Sequence, residues 1–97
     1  MIYEVRFQTV DPAHRDEYVA LYSKAIQEIK QAGARSVQVL CSEDDPSQVL
    51  VVVEWKTKEQ HLNWRGTPPH TRFRAAVEGS GLQTKPSGGG YYTGGPV

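Results

Sequence analysis

The sequence predicts an α+β domain in which one antiparallel sheet carries helices on one face. Two neighbouring segments rich in β-branched residues, joined by a short polar turn, indicate a β-hairpin. A long amphipathic segment before that hairpin indicates a helix that packs on the sheet. The length of 97 residues allows one domain and excludes a two-domain dinucleotide enzyme or a barrel of eight βα units.

The chain opens with a strand and a helix. Residues 2–10 are rich in β-branched and aromatic side chains, which predicts the first strand. Asp11-Pro12 then predicts the start of a helix over about residues 12–32. The Asp11 carboxylate caps the helix, and a proline is tolerated in the first turn because the N–H groups there make no hydrogen bond within the helix. Gly33 ends this helix. The side chains at helical spacing that face the core are Tyr18, Leu21, Tyr22, Ala25, Ile26 and Ile29.

The hairpin follows, and then a second helix. Residues 36–41 and 48–55 are the predicted second and third strands, joined antiparallel by the acidic, proline-containing turn 43–47. Thr57, with Gln three positions later, fits a capping box. It predicts a helix over about residues 58–65.

The remainder divides into a short helix and a glycine-rich tail. Gly66 and the prolines at 68–69 are expected to end the second helix, and a further helical stretch covers about residues 70–78. We therefore expect a folded domain over residues 1–78. The tail, residues 79–97, is too rich in glycine and proline to bury much surface, so we expect much of it to be mobile, with a short strand at 91–93.

Charge and cysteine content exclude several classes of protein. Eleven basic and eleven acidic residues give no net charge, which argues against nucleic-acid or acidic-membrane partners. The single cysteine, Cys41, reads as a small hydrophobic strand residue and cannot form an internal disulfide. The charged N-terminus is unlike a signal peptide, and the longest apolar run, Val49 to Val53, is too short to span a bilayer. These features predict a soluble cytoplasmic protein.

That apolar run also indicates a homodimer. Five consecutive apolar residues, 49–53, require burial on both faces of the third strand, although an open antiparallel sheet normally alternates. The chain has no further helix to cover the second face. We therefore expect two copies to pack sheet against sheet; a central strand shielded by long amphipathic side chains is the alternative.

With these elements, the stretch EWKTKEQHLNWRGTPPHTRFRAAV resembles the antibiotic biosynthesis monooxygenase family of the dimeric α/β-barrel superfamily. The shared features are an aromatic strand end, a capped acidic helix and a Pro-His-Phe-like turn, and the resemblance covers residues 1–78. The opening MIYEVR is also similar to NIPSNAP-type proteins. The resemblance implies a ferredoxin-like fold that dimerises through its sheets. It also implies a cofactor-independent monooxygenase acting on an aromatic polyketide-type molecule.

The resemblance gives no support for haem. Trp64 falls where the haem-degrading relatives carry a functional tryptophan. Their strand-one asparagine falls at about Val5, however, and their haem-ligand histidine falls near Arg74. We therefore expect no cofactor and no metal.

Candidate site residues cluster within residues 61–74, a locally cationic and aromatic segment. Cofactor-free oxygenation needs a base and fixed donors for the substrate anion. We expect His70 to be the base, with Arg72 as a donor beside it. The expected substrate-binding residues are Trp64, Asn63, His61 and Tyr22.

Each of these residues also has a structural interpretation. Trp64 fits a plain core aromatic, His61 a surface or capping histidine, and His70 a helix-start residue. Arg65 and Arg74 are expected to be solvated. Glu4 and Arg6 on the first strand are candidates for an inter-subunit pair, and Tyr18 and Tyr22 for core residues with hydroxyls at its edge.

Three functions stay open at this stage. The first is the monooxygenase, and the second is a polyketide cyclase or isomerase that uses the same pocket for enolate chemistry without oxygen. The third is a dimer that binds a small molecule without catalysis, because the sequence shows no compelling acid–base pair.

Overall fold

A four-stranded antiparallel sheet covered on one face by three helices forms the fold, in a computed structural model that describes residues 1–94. This architecture confirms the predicted α+β class. The elements in chain order are β1 (Ile2–Thr9), a 3-10 turn (Pro12–His14), α1 (Arg15–Gln31), β2 (Ser36–Cys41), β3 (Gln48–Trp55), α2 (Lys58–Trp64), α3 (Pro68–Glu78) and β4 (Gly88–Tyr92).

The strand order β2-β3-β1-β4 places β1 in the interior of the sheet. β1 pairs with β3 from Ile2 opposite Trp55 to Thr9 opposite Gln48. Its other edge pairs with β4, where Glu4 lies opposite Tyr91. β4 begins three residues before the predicted strand at 91–93, because Gly88 and Gly89 lend no β-propensity to a sequence pattern.

The helix predicted over 12–32 is divided into the 3-10 turn and α1. The Asp11 carboxylate accepts a hydrogen bond from the Ala13 N–H at 2.9 Å, so it caps the 3-10 turn rather than α1 itself. Gly33 follows α1 with a φ of +102°, the left-handed conformation predicted for the helix end.

Threonine caps begin both of the shorter helices. Thr57 accepts from the Gln60 N–H at 3.1 Å, while the Gln60 side chain accepts from the Lys56 N–H at 2.9 Å. Thr67 caps α3, which begins at Pro68 and not at residue 70 as predicted. The two prolines form the first turn of α3 because no N–H is needed there.

One face of β3 forms the centre of the core. Its burial alternates strictly along the strand, and the inward residues are Val49, Val51, Val53 and Trp55. Tyr18, Tyr22 and Ile29 of α1, Trp64 of α2, Val77 of α3 and Val10, which follows β1, complete the buried cluster. The core therefore joins all three helices mainly to β3.

The other face of the sheet carries a continuous apolar row. Phe7 of β1 lies opposite Leu50 of β3, and Leu50 lies opposite Leu40 of β2. Phe7 is 48% exposed and Leu40 is 45% exposed. Within residues 1–94 all three helices pack on the opposite face, so this row meets solvent in the single chain.

Gly89 is the point where β4 approaches β1 most closely. A Cβ atom at Gly89 would lie 2.1 Å from the carbonyl oxygen of Val5 and 3.1 Å from the Arg6 Cα. A Cβ atom at the adjacent Gly88 would meet nothing within 4 Å. There is therefore room for a side chain at Gly88 but not at Gly89, although the two residues are adjacent in one strand.

We predict that Gly89→Ala destabilises the domain by about 1–3 kcal/mol, because β4 must move away from β1 to admit the methyl group. Gly88→Ala is the matched control and should leave stability unchanged or raise it slightly, since it only restricts the unfolded chain. Urea unfolding of both variants measures the difference. Equal stability of the two variants would contradict the close approach.

Candidate functional site

A cavity of about 300 Å³ lies between the inner face of β1 and β4 and the helices α2 and α3. The alternation of β1 turns Glu4 and Arg6 into this cavity, and Tyr91 of β4 enters beside Glu4. Gly89, which lies opposite Arg6, contributes no side chain and leaves space there. The helices and core supply the remaining principal wall residues, which are Tyr22, His61, Trp64, His70 and Phe73.

Trp64 forms the aromatic wall of the cavity. It is 8% exposed and packs near His70, Phe73 and Trp55, at ring-centroid distances of 4.9, 5.8 and 6.0 Å. Its indole Nε1 is buried and has no hydrogen-bond partner within residues 1–94. A buried N–H without a partner is costly, so this donor is suited to an oxygen atom of a bound molecule.

Glu4, His61, Trp55 and Tyr91 form a polar cluster at one end of the cavity. The Trp55 indole N–H donates to Glu4 Oε1 at 3.1 Å. His61 Nε2 lies 3.4 Å from Glu4 Oε2, and His61 Nδ1 is hydrogen-bonded to the Tyr91 hydroxyl. The carboxylate, the imidazole and the phenol therefore follow one another along the wall of the cavity.

Burial shifts the pKa values of both titratable groups that meet in this cluster, Glu4 and His61. Burial raises the pKa of Glu4, against the opposing effect of its hydrogen bond from Trp55. Burial, followed by the nearby positive charge of Arg65, lowers the pKa of His61 to about 4. His61 is therefore a neutral imidazole at neutral pH, with one protonated and one unprotonated ring nitrogen.

His70 lines the cavity in a different chemical state. Its Nδ1 accepts a hydrogen bond from the Gly66 N–H at 3.0 Å. In the neutral ring the proton therefore resides on Nε2. Burial, and then the Arg74 and Arg65 charges, lower the pKa of His70 and favour this neutral form. In this form His70 offers an Nε2–H donor to the cavity. Its role as the base stays a prediction of the sequence.

The cavity wall carries an excess of positive charge. Arg6, Arg65 and Arg74 all line it, as do Glu4 and Glu78. Arg74 is paired with Glu78 at 2.9 Å, but Arg6 has no ion pair or side-chain hydrogen bond within residues 1–94. A ligand with a negatively charged oxygen suits this arrangement, because Arg6 offers it an uncommitted charged donor.

Two of the predicted site residues lie away from the cavity. Arg72 points to the surface, where its Nε lies 3.0 Å from Glu28 Oε1 of α1. This ion pair fixes α3 to α1. Asn63 is exposed on α2 and does not line the cavity. Helical spacing is the reason, since both residues are one position from a wall residue and so turn away from the sheet.

The other predicted site residues meet in the cavity. His61 is 6% exposed, which corrects its interpretation as a surface or capping residue. Tyr22 is buried with a raised pKa caused chiefly by burial, and its hydroxyl has no hydrogen-bond partner within residues 1–94. Trp64 is both a core residue and a wall of the cavity, and His70 lies against it.

Sequence reasoning missed the contributions of Glu4, Arg6 and Tyr91. The alternation in β1 already separates Glu4 and Arg6 from Val5 and Phe7. The sequence suggests an inter-subunit pair for Glu4 and Arg6, but the structure places both on the face that packs against the helices of their own chain. For Tyr91 the local pattern predicts a strand but not its neighbour, because the pairing that places it opposite Glu4 is made by β1.

The described residues include no cluster suited to a metal. Within residues 1–94 no group of three or more His, Cys, Asp or Glu side chains lies close enough to hold a metal ion. No helix in the same part of the chain is long and apolar enough to cross a membrane.

The fold and the cavity together define a ferredoxin-like domain with an internal site between sheet and helices. The chain matches, at a TM-score of 0.88 and 21% identity, a crystal structure from Bordetella bronchiseptica described as an antibiotic biosynthesis monooxygenase, over 98% of this chain and 97% of that one. A similar protein from Caulobacter crescentus matches at a TM-score of 0.80 and 16% identity, over 98% and 90% of the two chains.

A structure with a stated activity is also among the matches. A variant of SnoaB, a cofactor-independent oxygenase from Streptomyces nogalater, matches at a TM-score of 0.78 and 17% identity, over 99% of this chain and 94% of that one. A search of curated proteins finds no match. The sequence model of the antibiotic biosynthesis monooxygenase family covers residues 1–76, and the chain therefore belongs to that family.

We predict that His61 makes the domain less stable as the pH falls from 6.5 towards 4. Its folded pKa of about 4 lies below the ordinary value of 6.5, so in this window the unfolded chain binds more protons. The full effect is about 3 kcal/mol. His61→Gln, which retains a polar side chain, should flatten this dependence.

Urea unfolding of the wild type and of His61→Gln across this pH window measures the effect. The opposing contribution of Glu4, whose raised pKa favours the folded state on acidification, is present in both proteins. The difference between their slopes therefore isolates His61. Parallel curves would show that His61 is not held neutral by burial.

Proposed function

We propose that the protein is a small monooxygenase that uses no cofactor and oxidises an aromatic polyketide-type molecule, such as an anthrone or a polycyclic phenol. The observation that carries this proposal is the buried Trp64 N–H, which has no partner within residues 1–94 and lines a cavity beside Arg6. Membership of the family and the fold shared with SnoaB support it.

The chemistry needs a substrate that can give electrons to oxygen. Removal of a proton converts an anthrone into its enolate, an electron-rich anion that reduces dioxygen directly. One oxygen atom then replaces two hydrogens at the reacting carbon as a carbonyl, and the other leaves as water. The protein contributes by removing the proton, stabilising the anion and excluding bulk water.

The cavity offers three donors to the oxygen of such an anion. The Trp64 indole N–H has no competing partner, and Arg6 carries a full positive charge. His70 presents an Nε2–H, because its Nδ1 is occupied by the Gly66 N–H. Fixed donors of this kind stabilise an anion more than water does, since they need no reorganisation.

The walls also suit the flat apolar part of the substrate. Trp64 and Phe73 lie 5.8 Å apart between ring centroids, and Tyr22 meets Phe73 edge to face at 5.4 Å. Aromatic walls with a few converging polar groups are typical of small-molecule sites, and about 300 Å³ is at the small end of their range. We therefore propose Trp64, Tyr22 and His61 as substrate-binding residues, and leave Asn63 and Arg72 out of the site.

We predict that Trp64→Phe lowers kcat on an anthrone about 10²-fold, because it removes one donor and retains an aromatic wall. Arg35→Gln is the control, since Arg35 is exposed and pairs with Glu54 away from the cavity. Oxygen uptake with anthrone and a dihydroxyanthrone measures the rate. Isotopically labelled dioxygen should transfer one atom to the product.

The alternative functions give different results in the same assay. Conversion of a polyketide-type substrate at an equal rate without oxygen would contradict the monooxygenase function and indicate a cyclase or isomerase. Binding of the aromatic molecules without any conversion would indicate a dimer that binds a small molecule and has no catalysis. Equal rates for wild type and Trp64→Phe would remove Trp64 from the reaction.

We also propose that the protein acts as a homodimer in which two sheets pack through their apolar rows. The row Phe7–Leu50–Leu40 is continuous across three strands and is left uncovered by the helices of its own chain. Large exposed apolar patches of this kind mark association surfaces.

We propose the cytoplasm as the location of the protein. The exposed free thiol of Cys41 at the end of β2 suits a reducing compartment of this kind.

We predict that Leu40→Lys converts the dimer into a monomer, because it places a charge within the packed apolar row. Leu62→Lys is the matched control, since Leu62 is 43% exposed on α2, on the opposite side of the molecule. Light scattering coupled to gel filtration measures the mass of each variant. A monomeric wild type, or a dimeric Leu40→Lys variant, would exclude this interface.

A further inference from the structure

We propose that Tyr91, His61 and Glu4 form a proton relay, in which Tyr91 takes the proton from the substrate and passes its own to His61. This inference rests on the proposed function, because it assigns the base for the same cavity. It adds a residue from β4 and one from β1 to a site that the sequence placed within residues 61–74.

The geometry shows a chain of polar contacts along the cavity wall, from the Tyr91 hydroxyl to the part-buried Glu4 carboxylate. Tyr91 lines the cavity, and its hydroxyl is hydrogen-bonded to Nδ1 of His61. On the other side of the ring, Nε2 lies 3.4 Å from Glu4 Oε2. The Trp55 indole N–H holds the second carboxylate oxygen at 3.1 Å. Each group is thus oriented by the next one.

The position of Glu4 favours one direction for the hydrogen bond between Tyr91 and His61. An ionised carboxylate 3.4 Å from Nε2 attracts a proton and repels a lone pair, so it favours the neutral tautomer with the N–H on Nε2. The lone pair of the neutral ring is then on Nδ1. Tyr91 therefore donates its hydroxyl hydrogen to Nδ1, and its own oxygen lone pairs are available on the cavity side.

Proton transfer along this path balances in atoms and charge. The acidic bond of the substrate breaks, which is O–H in a phenol and C–H in an anthrone, and a new O–H bond forms on the Tyr91 oxygen. At the same time the original Tyr91 O–H bond breaks and an N–H bond forms on His61 Nδ1. The products are a substrate anion and an imidazolium ion, so the net charge of the cavity does not change.

The relay compensates for the cost of an imidazolium ion in this buried position. Alone, a buried charge on His61 is unfavourable. With substrate bound, the new cation lies between the Glu4 carboxylate and the substrate anion, and both attract it. The arrangement thus favours proton uptake by His61 when an ionisable ligand occupies the cavity, and disfavours it otherwise.

The other histidine of the cavity is less suited to this task. His70 Nδ1 is engaged with the Gly66 N–H, so its exposed nitrogen already carries a proton. The Tyr22 hydroxyl has no partner within residues 1–94 to which it could pass a proton. Tyr91 is the hydroxyl on the cavity wall that is joined to an imidazole lone pair.

The test uses p-nitrophenol as the probe, because its phenolate absorbs visible light. The measurement is anaerobic and is made at a pH below the pKa of p-nitrophenol in water. Wild-type protein should bind the probe as the phenolate, and Tyr91→Phe should lower the ratio of bound phenolate to bound phenol about tenfold, which corresponds to about 1.4 kcal/mol. Tyr92→Phe is the matched control, because Tyr92 is exposed on the other face of the same strand. It should behave like the wild type.

A second variant guards against a purely structural effect. His61→Gln can keep a hydrogen bond to Tyr91 but cannot take up a proton, so it should bind the probe as the neutral phenol. Far-ultraviolet circular dichroism confirms that each variant is folded. Equal phenolate fractions in wild type and Tyr91→Phe would overturn the relay, as would the absence of a phenolate signal from the wild type.

The outcome is separable from that of the proposed function because the probe needs no oxygen. A phenolate signal that depends on Tyr91, together with no oxygen uptake on anthrones, would support the proposed relay and contradict the proposed monooxygenase function. Oxygen uptake with an unchanged kcat in Tyr91→Phe would support the monooxygenase function and contradict the relay. With both correct, Tyr91→Phe lowers kcat about 10²-fold while KM changes little.

Discussion

The alternation of a single interior strand, β1, organises both sides of this molecule. Successive residues of a strand point to opposite faces, so Glu4 and Arg6 face the helices while Val5 and Phe7 face outwards. Polar side chains cannot pack against the helices as the valines of β3 do. The sheet and the helices therefore close tightly over β3 and leave a cavity over β1.

Within that cavity, buried polar groups are tolerated because they are matched to one another. Glu4 has a hydrogen bond from Trp55 and an imidazole 3.4 Å away, and the imidazole is bonded to Tyr91. Burial alone would favour the neutral forms of both Glu4 and His61, as their opposite pKa shifts show. The N–H of Trp64 lacks such a match, and this difference distinguishes a group held for structure from one available to a ligand.

The elements with a strong pattern of their own were predictable from the sequence. β2 and β3 have the predicted limits, because β-branched residues bounded by a polar turn need no tertiary information. β4 begins three residues earlier than predicted, because its glycines are held in the sheet by β1 and not by their own propensity.

The site was only partly predictable for a similar reason. Trp55 and Glu4 are 51 positions apart, and His61 and Tyr91 are 30 apart, so no local spacing brings them together.

The two faces of β1 also connect the proposed dimer to the proposed chemistry. A second copy packed on Phe7 and Leu50 would bury the outer side of the strand whose inner side carries Glu4 and Arg6. Burial on both faces restricts the motion of a strand more than burial on one, because fewer side chains can rearrange into solvent. β4, which carries Tyr91, is held to the body of the sheet only through β1. Association through the apolar row would therefore fix the distances on which both the donors and the relay depend, without contributing a residue to the cavity.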